Sequence, residues 1–320
     1  MKTATLPLDF GADVAKGEIV VACAQQSSAP RKIANRRAPL LAWLRTLPPG
    51  SRIAMEATGT YHELLAELAQ KRGFVVYVLN PKDTRHYAKA MGIRGKTDRV
   101  DAELIARFVA HEHAKLHPWT LPTPAQRQLD RLLKRRAELS RIAVALRQSL
   151  QGLTGFTAEL KSISARLDGL IARIDAKIRA HIEASPERHA HYTHLRGING
   201  VGPVVGSALV NALERLPFGS ADAFVAFTGL DPRPDESGRH RGRRRLSKRG
   251  PSELRRLLYI AAMAAARSKV WKSLYQHYRE KNLPRTAVLV ILARRIARTA
   301  WSIYTHKITF DPQRLITNLT

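Results

Sequence analysis

Three prolines, Pro118, Pro122 and Pro124, fall within seven residues a little over a third of the way along the 320-residue chain. Each holds its own φ near about −65° and biases the residue before it away from helix, so no regular element continues through the stretch. The periodicity differs on its two sides. Before it, strand-like and helix-like segments alternate; beyond it run long segments rich in Leu, Ile, Ala and Arg. The chain is expected to divide into an α/β domain over 1–117, a linker and long helical arm over 118–190, and a second domain over 191–320. With 44% apolar residues it can bury a core in each.

In the first region, 6–14 and 18–24 read as a β-hairpin and 52–57 and 74–80 as further strands, with helical spacing over 39–47 and 61–72. Gly59 and Gly73 punctuate their ends. A last helix over 97–113 starts at a Thr or Asp cap and carries Val100, Leu104, Ile105 and Phe108 on one stripe. Past the prolines, 125–152 and 158–184 read as two long helices. Leu129, Leu132, Leu133, Leu139, Ile142, Leu146 and Leu150 form a heptad-like seam, which suits an antiparallel arm or a dimerising coil. From about Thr193 glycine-punctuated helices follow. The string Leu195-Arg-Gly-Ile-Asn-Gly-Val-Gly-Pro203 and the apolar run 204–213 resemble a helix-hairpin-helix, whose glycine amides can hold a phosphate or simply make the turn. Helices near 252–266, 270–281 and 285–305 finish an all-α C-terminal domain.

Charge narrows the partners. Fifty-four Lys and Arg against 26 Asp and Glu leave +28, with a pI near 11.1, a field that draws polyanions. Nucleic acid is the first partner to consider. A membrane surface is disfavoured because the basic residues are spread along the chain, and the most apolar run, 257–266, is far short of the roughly 20 residues needed to cross a bilayer. Asp9 and Asp13 break the N-terminal apolar run before a signal-peptide core forms, and the lone Cys23 allows neither an internal disulfide nor a multi-cysteine zinc site. The expected location is the cytoplasm.

Four carboxylates stand out. Asp13 ends the first strand, Glu56 ends another, and Asp98 and Asp101, three apart at a helix start, project from one face. Singly, such acids are strand-end polar groups or dipole-favouring helix acids. Together they supply the hard oxygen ligands that phosphoryl transfer with Mg²⁺ requires, two ions sitting about 3.5–4 Å apart. Asp9, on the same strand face as Asp13, is a rival ligand. Lys16 and Lys96 flank the acids.

Seven basic residues, Arg239, Arg241, Arg243, Arg244, Arg245, Lys248 and Arg249, crowd a loop that opens with Asp235-Glu-Ser-Gly238. Such a loop docks phosphates whether or not it does chemistry. Ser237 stands at its entrance beside a glycine that permits close backbone approach. By residue type alone, a loop serine is usually polar filling. His189, His191 and His194 read as a solvated polar joint rather than a metal site, and Trp43, Trp119, Trp271 and Trp301 as packing residues.

The Asp, Glu and Asp-x-x-Asp order resembles the RuvC branch of the ribonuclease H-like fold. More widely, the strings GADVAK, MEATGTYHE, Asn80-Pro81, IRGKTDRVDAELIARF, LRGINGVGPVVGSAL, FVAFTGLDPRPDESG and LSKRGPSELRRLLYIAAMAA are similar, in this order, to those of the insertion-sequence-110 (IS110) family of transposases, relatives of the Piv invertase. That resemblance covers nearly the whole chain. Ala12 departs from it, standing where the family has a bulky aliphatic residue. The resemblance implies an α/β ribonuclease H-like (RuvC-like) N-terminal domain joined by long helices to the C-terminal transposase domain. It makes Asp13, Glu56, Asp98 and Asp101 the catalytic metal ligands and Ser237 the catalytic serine. It further implies recombination through a protein–DNA phosphoserine link and a bridge RNA that pairs with donor and target DNA. The protein would act as a homo-oligomer, dimer or tetramer, in which one protomer's serine meets another's acids. The alternatives are a RuvC-like nuclease that activates water, with Ser237 incidental, and a non-catalytic nucleic-acid-binding protein.

Overall fold

The computed structural model describes residues 6–313 apart from Thr58, Arg94, Lys96, 234, 235, 238, 239 and Arg243, and describes only the backbone of Glu236, Ser237, His240 and Arg241. The chain forms two compact units that divide between Leu121 and Pro122.

In the first unit a five-stranded mixed sheet is built from β1 (Asp9–Val14), β2 (Glu18–Cys23), β3 (Arg31–Ala34), β4 (Arg52–Glu56) and β5 (Val75–Leu79), in the order β3-β2-β1-β4-β5. The first three strands form an antiparallel meander, and β4 and β5 run parallel to β1. Helices α1 (Arg37–Leu44), α2 (Glu63–Lys71), α3 (Pro81–Ala90) and α4 (Asp98–Glu112) complete it.

The period-two alternation of β1 explains the layering. Phe10, Ala12 and Val14 enter a core with Leu40 and Trp43 of α1 and Leu65 and Leu68 of α2. The opposite face meets α4, where Val20 and Ala22 of β2 cluster with Ala102 and Ala106, and Ala54 of β4 with Ile105. Gly11 lies on that face. A methyl group there would sit 2.2 Å from both the Ala102 carbonyl oxygen and the Ala106 nitrogen, so α4 rests on bare backbone.

The second unit is mostly helical: α5 (Pro124–Ser149), α6 (Thr157–Glu183), α7 (Pro186–Arg196), α8 (Pro203–Arg215), α9 (Ala221–Thr228), α10 (Ser252–Ala265), α11 (Lys269–Glu280) and α12 (Arg285–His306). Its core centres on α12, whose Val288, Leu292, Ile296 and Ala300 are buried against Leu258, Ala261 and Ala265 of α10. The long pair α5 and α6 is antiparallel and cross-linked by Arg136–Asp175 and Arg147–Asp168. Among the described residues no helix is long and apolar enough to cross a membrane.

Several expectations change. Strand β3 and helices α3, α7 and α9 are additional to those read from sequence. Asn80-Pro81 opens a helix: the Asn80 side chain accepts from the Lys82 amide at 3.0 Å, and Pro81 takes the first helical position, where its missing N–H costs nothing. The supposed polar joint at 189–194 is helix, capped by Ser185, and His191 is buried and stacks on Tyr304 at 4.3 Å. The heptad seam holds in part, since Leu129 is buried with Ile178 and Ile182 while Ile142 is 49% exposed. The C-terminal region is not purely helical either. Its basic loop contains two small antiparallel ladders, β6 (Pro232–Arg233) with β9 (Arg245–Leu246) and β7 (Glu236–Ser237) with β8 (His240–Arg241). A run of arginines has no apolar alternation to announce them.

Candidate active site

Strand register brings the first two acids together. Gly11 pairs with Ala54 and Ala12 with Met55, so the next residues, Asp13 and Glu56, end adjacent parallel strands and, by alternation, share the α4 face. The helix supplies the other two. Thr97 caps α4 by accepting from the Val100 amide at 3.3 Å, leaving Asp98 and Asp101 in its first turn. Because α4 lies directly on Gly11, that turn comes down on the carboxyl end of β1.

The electrostatics record the meeting. Asp13 is pushed from 3.8 up to about 6, first by partial burial and then by the negative charges of Asp101, Asp98 and Glu56. Glu56 is held by Thr84, a buried residue of α3 whose hydroxyl lies 2.9 Å from Glu56 Oε2 and 3.1 Å from the Pro81 carbonyl oxygen. Thr84 had no signal in the sequence. Gly11 had one, since a glycine inside a strand pattern marks a bulge or a close backbone approach.

Among the described residues no three His, Cys, Asp or Glu side chains converge tightly enough to share an ion. The mutual influence of the four acids still places them within electrostatic reach. Carboxylates of like charge repel one another, and Glu56 is in addition bound to the Thr84 hydroxyl. An all-oxygen, all-acidic donor set suits a hard divalent cation.

A prediction follows for the protein kept free of divalent metal. A carboxyl whose pKa is raised in the folded state keeps its proton there to higher pH than in the unfolded chain. The contribution of Asp13 to stability is therefore fully present below the unfolded value of 3.8 and is lost as pH rises through about 6. Asp13→Asn removes the charge, so at pH above 6 it should stabilise the metal-free protein by about 1–2 kcal/mol after allowance for solvent screening. Urea titration of both proteins in chelator reads this, and equal stability at neutral pH would mean that neither burial nor the neighbouring acids penalise the Asp13 charge.

Asp9 is placed differently. It opens β1, four residues and about 13 Å of strand away from Asp13. It is 1% exposed, takes two hydrogen bonds from the Arg52 guanidinium, one of them at 2.9 Å, and accepts from Gln25 Nε2 at 2.6 Å. Its charge is already balanced.

Ser237 lies in the second unit, on β7, where its backbone pairs with His240. The foot of this hairpin is well fastened. Ser247 donates its amide to the Asp231 carbonyl at 2.9 Å and its hydroxyl to the Asp231 carboxylate, and Lys248 donates its amide to the Gly229 carbonyl at 3.1 Å. Arg255 of α10 spans both ends, donating to the carbonyls of Thr228 at 3.0 Å and Gly250 at 3.3 Å. Arg244, Arg245, Lys248 and Arg249 are exposed. Arg239, Arg243 and Lys96 lie outside the described residues, as does the side chain of Arg241. Lys16 is exposed after the first strand.

The glycine string between α7 and α8 has a packing role. Gly200 adopts φ +97°, and a methyl group there would lie 2.5 Å from the Ala261 carbonyl oxygen of α10.

Two family models match the chain. One for DEDD-type IS110 transposases covers residues 10–156, and one described as transposase of the IS116/IS110/IS902 family covers 192–277. Among curated proteins, the pilin gene-inverting protein of Moraxella bovis is 27% identical over 264 residues, 81% of each chain. A probable family 20 transposase of Pseudomonas aeruginosa is 26% identical over 322 residues, 87% of this chain and 90% of its own. The transposase for insertion sequence element IS1328 of Yersinia enterocolitica is 26% identical over 345 residues, 94% of this chain and 98% of its own.

Proposed function

The chain belongs to the IS110 family of transposases and is a DNA recombinase, and from that premise we propose that its four acids and Ser237 form one composite active site. The observation that carries the proposal is that Glu56, Asp98 and Asp101 lie within electrostatic reach of Asp13, at the carboxyl edge of a sheet ordered β3-β2-β1-β4-β5. That order and its strand directions agree with a ribonuclease H-like, RuvC-like domain.

Asp13, Glu56, Asp98 and Asp101 would hold divalent metal, Mg²⁺ being the hard cation that oxygen donors favour. Bound there, the metal would withdraw charge from a phosphodiester and offset the negative charge that builds during transfer. Thr84 keeps Glu56 oriented, and the cap at Thr97 aims the first turn of α4, whose dipole eases the gathering of negative charge. Ser237 Oγ would attack phosphorus, forming a serine–phosphate ester as the bond to one deoxyribose oxygen breaks. The serine proton leaves and that oxygen departs as a hydroxyl. Attack by a hydroxyl of the new partner strand then restores the phosphodiester and the free serine, so no external energy source is consumed. A bridge RNA pairing with donor and target DNA, a homo-oligomer of two or four chains, and a serine that serves the acids of another protomer complete the reading. They rest on family resemblance. The Asp9–Arg52 pair is assigned a structural role.

Replacing any one of the four acids by Ala should stop recombination while DNA binding persists, because removing a negative charge does not weaken attraction to phosphate. Recombination by Asp101→Ala at the normal rate would overturn the metal assignment. The basic hairpin should act mainly on the phosphate backbone, since it has no interleaved aromatics. Neutralising Arg244 and Arg245 together should lower the slope of log affinity against log salt by about 1.8 if both meet duplex phosphates. An unchanged slope with altered base preference would indicate direct readout instead.

A further inference from the structure

Away from the acids and the serine hairpin, the second unit holds a half-open cavity of about 700 Å³ along α12, lined also by the segment that follows that helix. This volume suits a ligand of nucleotide size. Arg294, Arg295 and Arg298 line it from one helix, with Tyr278 of α11 and Phe310 and Asp311 opposite. Arg298 pairs with Asp222, Phe310 stacks on Trp271, and Tyr278 meets the His277 ring edge-on. Arg294 is the anomaly. Its Nε is buried with no acceptor among the described residues, although a guanidinium N–H is a donor that is costly to leave unmet once buried. Burial holds its pKa below the usual value and the neighbouring Arg298 pushes the same way, while Asp222, Asp231 and Tyr278 oppose them. An anionic acceptor would satisfy the unmet Nε and balance the buried charge. Asp231, which also fastens the serine hairpin, lies within electrostatic reach of Arg294.

We propose that this cavity is a nucleotide-binding site that takes a phosphodiester of a single nucleic-acid strand on Arg294, with the attached base against Tyr278. A phosphate offers Arg294 the paired oxygens that a guanidinium fork matches, and Arg295 adds charge on the same helix. A partly exposed aromatic side chain provides a stacking surface that tolerates any base. DNA and RNA share this chemistry. The site does not depend on the catalytic assignment of Ser237, so it should persist in Ser237→Ala protein and its failure would leave that assignment untouched.

The test uses full-length Ser237→Ala protein and fluorescein-labelled oligothymidine, oligouridine and a duplex, with affinity followed by anisotropy across a salt series. Arg294→Met keeps the side-chain stem and removes the fork, and Arg179→Met removes the same charge from the exposed face of α6. Arg294→Met should weaken binding of a single strand about tenfold and lower its salt slope by about 0.7, with Arg179→Met changing affinity less than about twofold. Loss confined to oligothymidine makes DNA the source and loss confined to oligouridine makes it RNA, and either supports the site. Ser302→Tyr, which fills the cavity while leaving the arginines in place, should cause the same loss and covers the case of a misfolded Arg294→Met. A 4-thiouridine or 4-thiothymidine strand should photo-crosslink to the Tyr278 region. Equal losses from Arg294→Met and Arg179→Met, a loss restricted to the duplex, unchanged binding by Ser302→Tyr, or crosslinks mapping only elsewhere would each overturn the proposal.

Discussion

Ser237→Ala protein is expected to form no denaturation-resistant adduct with DNA and to lose recombination by at least about a thousandfold, the scale on which removing a nucleophile slows chemistry. Binding should be retained, because the arginines and lysines around the serine are unchanged and supply the salt-dependent attraction. A serine hydroxyl is a weak nucleophile at neutral pH, so the serine without the acids should be equally inert. Mixing tests the arrangement. Ser237→Ala and Asp13→Ala proteins, each inactive alone, should recover part of the strand exchange together if the serine of one protomer serves the acids of another. No recovery would place serine and acids in the same chain. An adduct that survives in Ser237→Ala would instead assign the covalent link to another side chain, whereas wild-type protein that cuts DNA without forming any adduct would leave water as the nucleophile of a RuvC-like nuclease.

Gly11→Ala should be nearly as damaging although it touches no functional group. The added methyl would meet the Ala102 carbonyl oxygen and the Ala106 nitrogen at 2.2 Å and the Ile105 carbonyl carbon at 2.8 Å. These are backbone atoms on one side of α4, which cannot step aside as a side chain can. The helix must lift, at a cost of about 3 kcal/mol, the upper part of the usual range for overpacking. Lifting it carries Asp98 and Asp101 away from Asp13 and Glu56, so recombination should fall with stability. Urea titration gives the energy and a strand-exchange assay the function. If Gly11→Ala kept its unfolding midpoint, α4 would not lie on β1 as described. Ala12→Gly, one residue along but facing the other core, should cost stability without moving the acids.

Much of this was legible from local chemistry. The alternation along the first strand, the cap at Thr97 and the proline cluster each act over a few residues, so the strands and the long helices on either side of the prolines follow from neighbours in sequence. The candidate acids could be named because an oxygen-rich phosphoryl-transfer site demands that residue type, and the family motifs ordered them. What the chain could not announce locally were relations between distant segments. Asp9 and Asp13 look equivalent along one strand, and only the neighbouring β4, through Arg52, engages the first and leaves the second among other acids. Helix α7 reads as polar because its histidines are polar, and only the packing of Tyr304 from α12 buries His191. The ladders of the basic hairpin depend on backbone bonds across a loop whose side chains carry no strand pattern. Periodicity determined which face each strand residue takes. Tertiary structure decided which strand lies beside it and how closely a helix may approach, because register and contact distance are set by groups far apart in the chain.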